Sequence, residues 1–335
     1  MINKSCKIDL SIVIVSWNVK NLLMNCLESI ISNSKGICIE IIVVDNNSSD
    51  ETVECIRRLF PQVLIISNSL NKGFAEATNQ GLRISHGYYI LLLNPDTVIK
   101  DGALNKMIIF ANSHPEVGLI GPMLQSQNGE VQKYCARSFP RPLDWFWHSL
   151  FIGIIFPKSR VFGRLFLSYW DHLESRRVDA IAGAAMLFSR RTLEEVGLLD
   201  ESLPMYFEDL EYCYRTRKTG KLVYYLAEAK IIHYGGQSSI QVANETKILI
   251  LEAYRLFFLR YGRNADTYIY RLLAIIASFA RFYIFALINC LSAVFDKKAS
   301  YIRNYSLKGE CITFLWGLRL IKNSSTGRSQ SRLKS

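Results

Sequence analysis

The chain has 335 residues, half of them hydrophobic, and a formal net charge of +11. That length buries a sizeable core and is long for one domain, so a catalytic domain with an appendage is expected. The eight cysteines show no C-x-x-C or zinc-type spacing and read as buried thiols, and residues 1–9 lack the apolar core of a signal peptide, so the catalytic part is expected to remain in the reducing cytoplasm.

The first strand is Ser11–Asn18, followed by a helical pattern over Asn21–Ser32. A second apolar run begins at Ile39 and ends in an acid, Asp45, ahead of the polar stretch Asn46–Asp50. In Asn71-Lys72-Gly73-Phe74, glycine permits a tight turn just before a helical pattern over Ala75–Ser85. Next comes Tyr88–Leu93, a short apolar run stopped by Asn94-Pro95-Asp96, which reads as a fully buried strand. Strands alternating with helices make a parallel, doubly wound nucleotide-binding half. Ligands of such sheets bind at the carboxyl ends of the strands, where a carboxylate such as Asp96 can hold a divalent cation against phosphates. The bland alternative is a turn-forming Asn-Pro-Asp. There is no G-x-G-x-x-G after the first strand and no G-x-x-x-x-G-K-[ST], so dinucleotide dehydrogenases and P-loop triphosphatases lose their main support.

Mixed strands and loops follow from Asp101 to Tyr234. Within them Trp145–Trp170 mixes aromatics with Lys158, Arg160 and Arg164, a membrane-interface composition or a packed insertion. Glu208-Asp209 precedes a helical pattern at Leu210–Arg215, so these acids serve either chemistry or capping. Neighbouring helical residues point about 100° apart, so the two cannot both face one atom. His233 closes an apolar run, where a lone histidine is structural or a metal ligand.

The most apolar segment, Tyr268–Phe295, is interrupted by Arg271 and Arg281. Its unbroken part, Phe282–Phe295, falls short of the roughly 20 residues of a spanning helix. We expect an interfacial or re-entrant helix with snorkelling arginines, against the alternative of an ordinary core helix. From Lys297 onward nine Lys or Arg face one acid, Glu310. A basic tail beside an apolar segment favours anionic lipid headgroups over nucleic acid, for which no recognition motif is present.

These strand-end acids, in order with Arg137-Ser138-Phe139-Pro140, Ala182-Gly183-Ala184-Ala185-Met186-Leu187, Tyr206-Phe207-Glu208-Asp209-Leu210-Glu211 and His233-Tyr234-Gly235-Gly236-Gln237-Ser238, resemble the family 2 glycosyltransferases. These are inverting enzymes of the GT-A fold, and the chain looks most like the bacterial rhamnosyltransferase-type members. The resemblance runs from about Leu10 to Gly262, with an echo at Lys308-Gly309 and Trp316-Gly317. It implies an α/β GT-A domain at 8–262, with a nucleotide-sugar half at 8–97 and an acceptor half at 98–240. A helical, membrane-associating appendage at 263–322 and a disordered basic tail at 323–335 would follow.

The resemblance also implies roles. Asp96 and His233 would hold Mn2+ or Mg2+, and Asp209 would be the general base, with Glu208 as second choice. Ser16, Trp17, Asn18, Asp45 and Asn47 would receive the nucleoside, and Asn71, Gly73 and Phe74 would close around the diphosphate and sugar beside Asn94 and Asp96. Gly183 and Ala184 would line the acceptor side. Asn94 departs from the pair of acids that many GT-A enzymes place around the metal. Arg83 and Arg137 are basic groups within reach of phosphate in principle, with neither assigned. The implied reaction moves a sugar, with dTDP-L-rhamnose as the expected donor, onto a lipid-linked glycan at the cytoplasmic face of the bacterial inner membrane. A UDP-hexose donor and a non-catalytic sugar-nucleotide-binding protein are the alternatives.

Overall fold

Branched apolar side chains fill the early strands, and such residues suit a parallel sheet buried on both faces. The computed structural model describes residues 7–203, 207–235, 243–293 and 310–318. Strands β1 (Leu10–Ser16), β2 (Ile39–Asp45), β3 (Leu64–Ser67) and β4 (Tyr89–Leu93) pair in parallel in the order β3-β2-β1-β4. Helices α1 (Lys20–Asn33), α2 (Thr52–Leu59) and α3 (Phe74–Ile84) make the connections. The expected helices at Asn21–Ser32 and Ala75–Ser85 are therefore present, displaced by a residue at their ends.

The chain then passes through β5 (Thr97–Ile99), α4 (Ala103–Ser113), β6 (Val117–Gln125) and the two-residue β7 (Ala136–Arg137). After α5 (Pro142–Ser149) and α6 (Ile152–Ile155) come β8 (Arg176–Val178), β9 (Ala180–Ile181), β10 (Ala185–Ser189), α7 (Arg190–Val196), α8 (Glu208–Lys218) and β11 (Leu222–His233). Among the described residues the main sheet has nine strands in the order β3-β2-β1-β4-β10-β6-β11-β5, with β8 on β11. The later strands thus extend the nucleotide-binding sheet instead of building a separate half. β10 runs antiparallel beside β4, pairing Ala185 with Leu93. β11 pairs His233 with Thr97 of β5. Both pairings bring later residues to the carboxyl end of β4.

Two compact units divide the chain: residues 1–139 with 170–241, and 140–169 with 242–335. The sheet belongs to the first. The division falls near residue 241 where the sequence reading had put 262, and the aromatic stretch 140–169 groups with the C-terminal helices.

The second unit holds α5, α6, α9 (Ala243–Tyr261), α10 (Asp266–Ala293) and a helical segment at 310–317. Its packing corrects the picture of snorkelling arginines. Arg281 is buried: its guanidinium meets the Glu310 carboxylate at 2.7 Å and donates to the Ser149 carbonyl at 3.1 Å. Arg271 lies over the Trp316 ring at 5.3 Å. Tyr270, Ala274, Ala277 and Arg281 share the buried face, whereas Tyr268, Leu272, Ile276, Phe279 and Tyr283 share the outer one, each 45–67% exposed. The helix hides its charge and presents its apolar side chains, the reverse of an ordinary surface helix. Its first 21 residues are long and apolar enough to cross a membrane by length and composition alone. This stretch is longer than the unbroken run Phe282–Phe295 because it includes Arg271 and Arg281. Phe295 and all nine basic residues of the tail from Lys297 onward lie outside the described residues, as do Tyr206, Gly236-Gln237-Ser238 and Gly309.

Candidate active site

Four strand ends and three loops of the first unit build the site. At the end of β4, the Asn94 N–H donates to the Ala184 carbonyl at 2.9 Å, and the Asn94 carbonyl accepts the Thr97 hydroxyl at 2.8 Å. These bonds turn the chain sharply and leave Asp96 buried at the corner. The Tyr234 N–H then donates to the Asp96 carbonyl at 2.9 Å, which fixes the end of β11 beside it. His233 Nε2 consequently lies 3.4 Å from Asp96 Oδ1, with both side chains 10% exposed or less.

An imidazole nitrogen and a carboxylate oxygen at this separation fit adjacent positions on one cation. Octahedral ligands with bonds of about 2.1 Å lie about 3 Å apart along an edge. Among the described residues no group of three or more His, Cys, Asp or Glu is available to a metal. Asp96 and His233 thus fit the pattern in which one or two protein groups and substrate phosphates complete the shell. Around His233 lie Gln132 and Tyr134, residues to which the sequence gave no role. Burial and the nearby Asp96 charge push the Tyr134 phenol up to about 12, so it keeps its proton at neutral pH.

Asp209 lies in the first turn of α8. Its Oδ2 accepts from Arg137 at 2.6 Å and from the Gly183 N–H at 2.9 Å, and its Oδ1 accepts from the Leu210 N–H at 2.6 Å. Gly183 is glycine for space, since a Cβ there would stand 3.0 Å from the Asp209 Cβ. Ala184, whose carbonyl receives the Asn94 N–H, links this carboxylate to the Asp96 corner. Three donors thus converge on Asp209, and Arg137, unassigned from sequence, acquires a definite place. Glu208 turns back to accept the Phe207 N–H at 2.9 Å. Arg83 pairs with Glu201 at 3.2 Å on the surface.

The nucleoside side is formed where β1 and β2 end in register, Ser16 opposite Asp45. Ser16 Oγ and Asp45 Oδ1 are buried without a hydrogen-bond partner, which suits groups awaiting a polar ligand. Asp45 Oδ2 accepts from the Ser48 N–H at 3.0 Å, and Asn18 Oδ1 accepts from the Ser49 N–H at 2.8 Å. Trp17 is half-buried beside them, and Asn47 is exposed with φ of 69°, a turn position. The neighbouring Asn46, absent from the expected set, is the hub. Its amide donates to Asn71 Oδ1 at 2.8 Å and to the Gly73 carbonyl at 3.1 Å, and accepts from the Lys72 N–H at 3.0 Å. Asn71 also accepts the Gly73 N–H at 2.9 Å, shaping the turn into Phe74.

Comparison with known proteins agrees with this architecture. Residues 11–194 match the family description Glycosyl transferase family 2. The chain is 24% identical to the N-acetylglucosaminyl-diphospho-decaprenol L-rhamnosyltransferase of Mycobacterium tuberculosis over 60% of this chain and 68% of that protein. It is 26% identical to the low-salt glycan biosynthesis hexosyltransferase Agl10 of Haloferax volcanii over 64% of this chain and 66% of the relative. The mannosyltransferase PcManGT of Pyrobaculum calidifontis, solved with GDP-Man and Mn2+, superposes with a TM-score of 0.56 at 15% identity, over 93% of this chain and 88% of that one. Strand-end acids, sheet order and family match converge on one conclusion: the chain is a GT-A-fold glycosyltransferase and belongs to glycosyl transferase family 2.

Proposed function

We propose that the enzyme transfers a sugar, with inversion, from a nucleoside diphosphate donor to a lipid-linked glycan, and that dTDP-L-rhamnose is the donor. The observation that carries the reading is the corner at Asn94–Asp96, where the Asn94–Ala184 bond joins the segment that meets Asp209 and the Tyr234–Asp96 bond brings in His233. Asp96 and His233 would hold Mn2+ or Mg2+. Such a cation, when bound, offsets the charge that develops on a departing diphosphate. Ser16 and Asp45 would meet the nucleoside through their unpartnered oxygens, with Asn18 and Ser48 shaping the pocket. Asn71, Gly73 and Phe74 would flank the diphosphate and sugar. Asp209 would take the proton of the acceptor hydroxyl as that oxygen attacks the anomeric carbon, while Arg137 and the Gly183 N–H hold the carboxylate in place.

The named activity of the mycobacterial relative supports a rhamnosyl donor and a polyprenyl-diphosphate acceptor. The hexosyltransferase name of the Haloferax relative supports the second reading, a hexose donor such as a UDP-hexose. An anionic membrane is the proposed docking surface, at the cytoplasmic face of the bacterial inner membrane. The apolar outer face of α10 supports it, as do exposed Ile154, Ile155 and Phe156, followed at once by Lys158 and Arg160. Basic residues near such a surface contribute about 1 kcal/mol each. A panel of sugar nucleotides incubated with enzyme and bacterial membrane extract, scored by nucleoside diphosphate release, tests the donor. Release from dTDP-L-rhamnose is expected; release from a UDP-hexose and none from dTDP-L-rhamnose would refute it.

A further inference from the structure

Gln132 is held by its backbone before its side chain does anything. Val131 bridges to Gln125, and the Gln132 N–H donates to the Leu124 carbonyl at 2.9 Å. The side-chain Nε2 donates to the His233 backbone carbonyl at 2.8 Å, which decides the orientation of the amide and turns Oε1 toward the imidazole. Oε1, the Tyr134 hydroxyl and His233 Nδ1 then form a triangle with sides of 2.7, 3.1 and 3.1 Å. An amide oxygen carries no proton, and the phenol carries one. If Nδ1 were bare, that single proton would serve three contacts between lone pairs, two of them repulsive. With Nδ1 protonated, the Tyr134 hydroxyl donates to Oε1 across the shortest side and Nδ1–H is shared by the other two acceptors. The neutral imidazole therefore carries its hydrogen on Nδ1. In that tautomer its Nε2 faces Asp96 Oδ1 at 3.4 Å as a second lone pair, an arrangement that a divalent cation between the two would satisfy.

We propose that Gln132, assisted by Tyr134, is a positioning residue that locks His233 in the Nδ1–H tautomer and so presents a bare Nε2, with Asp96, to a divalent cation. The inference rests on the metal reading above and adds the residues that set the ligand's polarity. Second-shell partners of this kind change metal affinity by about 10- to 100-fold. Full-length protein labelled with 15N-histidine and freed of metal gives the tautomer directly from multiple-bond 1H–15N spectra at mildly alkaline pH. His233 is identified by its absence from His233→Gln. The Nδ1–H pattern is expected in the wild type, with Nε2–H appearing in Gln132→Met. Free Mn2+, followed by its EPR signal with the metal as sole probe, should bind about 10- to 100-fold more weakly to Gln132→Met. An Nε2–H wild type that binds Mn2+ would overturn this proposal alone, as would a Gln132→Met that keeps both the Nδ1–H pattern and wild-type affinity. A wild type that binds no Mn2+, either alone or with dTDP added, would overturn it together with the metal reading. Should Gln132→Met fail to fold, the wild-type spectrum decides, and Tyr134→Phe supplies the affinity comparison.

Discussion

Asp209 shows what a single residue can and cannot reveal from its neighbours in sequence. Its place ahead of a helical pattern was legible, and so were the strand-end acids Asp45 and Asp96, because an apolar run stopped by a carboxylate is a local signal. Its surroundings were not: Arg137 reaches it across 72 positions and Gly183 across 26. The same distance in sequence hid Gln132, which meets His233 across 101 positions. Asn46 was hidden differently, since one polar residue in Asp45-Asn46-Asn47-Ser48 looks like the next until the fold buries it. If Asp209 takes the acceptor proton, Asp209→Asn should lower kcat by about 10²-fold or more while leaving the donor KM within a few-fold, because the base acts in the transition state. Steady-state kinetics with saturating acceptor separate the two constants. Equal loss of donor affinity would make Asp209 a structural acid.

The most instructive element is α10. Periodicity puts Arg271 and Arg281, ten positions apart at about 100° per residue, near one edge of a helix. It could not say whether that edge met water or protein, because the answer lies in Glu310, 29 positions from Arg281. A buried ion pair stripped of one partner leaves an uncompensated charge, which costs about 3–5 kcal/mol. Glu310→Ala should therefore lower the thermal stability of the helical unit by several degrees, read by calorimetry, and a wild-type transition would mean that Arg281 finds other compensation. The outer face makes the opposite demand. A carboxylate at Ile276, 45% exposed, should leave folding intact and disturb only what covers the face. Ile276→Asp is expected to cut co-sedimentation with anionic phosphatidylglycerol vesicles several-fold at unchanged thermal midpoint. Undiminished sedimentation would remove this face from the membrane contact.

At the scale of the whole molecule, the parallel half was readable from alternating strands and helices, whereas the mixed remainder was not. β10 enters the sheet antiparallel between β4 and β6, and β11 pairs with β5, β6 and β8. Such pairings join segments far apart in the chain and leave no periodic trace in either one. They matter because they carry Ala184 and His233 to the end of β4, so the architecture gathers the proposed centre from separate stretches of sequence. In the proposed mechanism Asp96 anchors this centre through a divalent cation. Nucleoside diphosphate release with Mn2+ and membrane acceptor, measured for the wild type and Asp96→Ala with and without chelator, tests it most directly. Chelator should silence the wild type, and Asp96→Ala should be at least about 10²-fold slower whatever Mn2+ is added. Wild-type release by Asp96→Ala in the presence of chelator would contradict it.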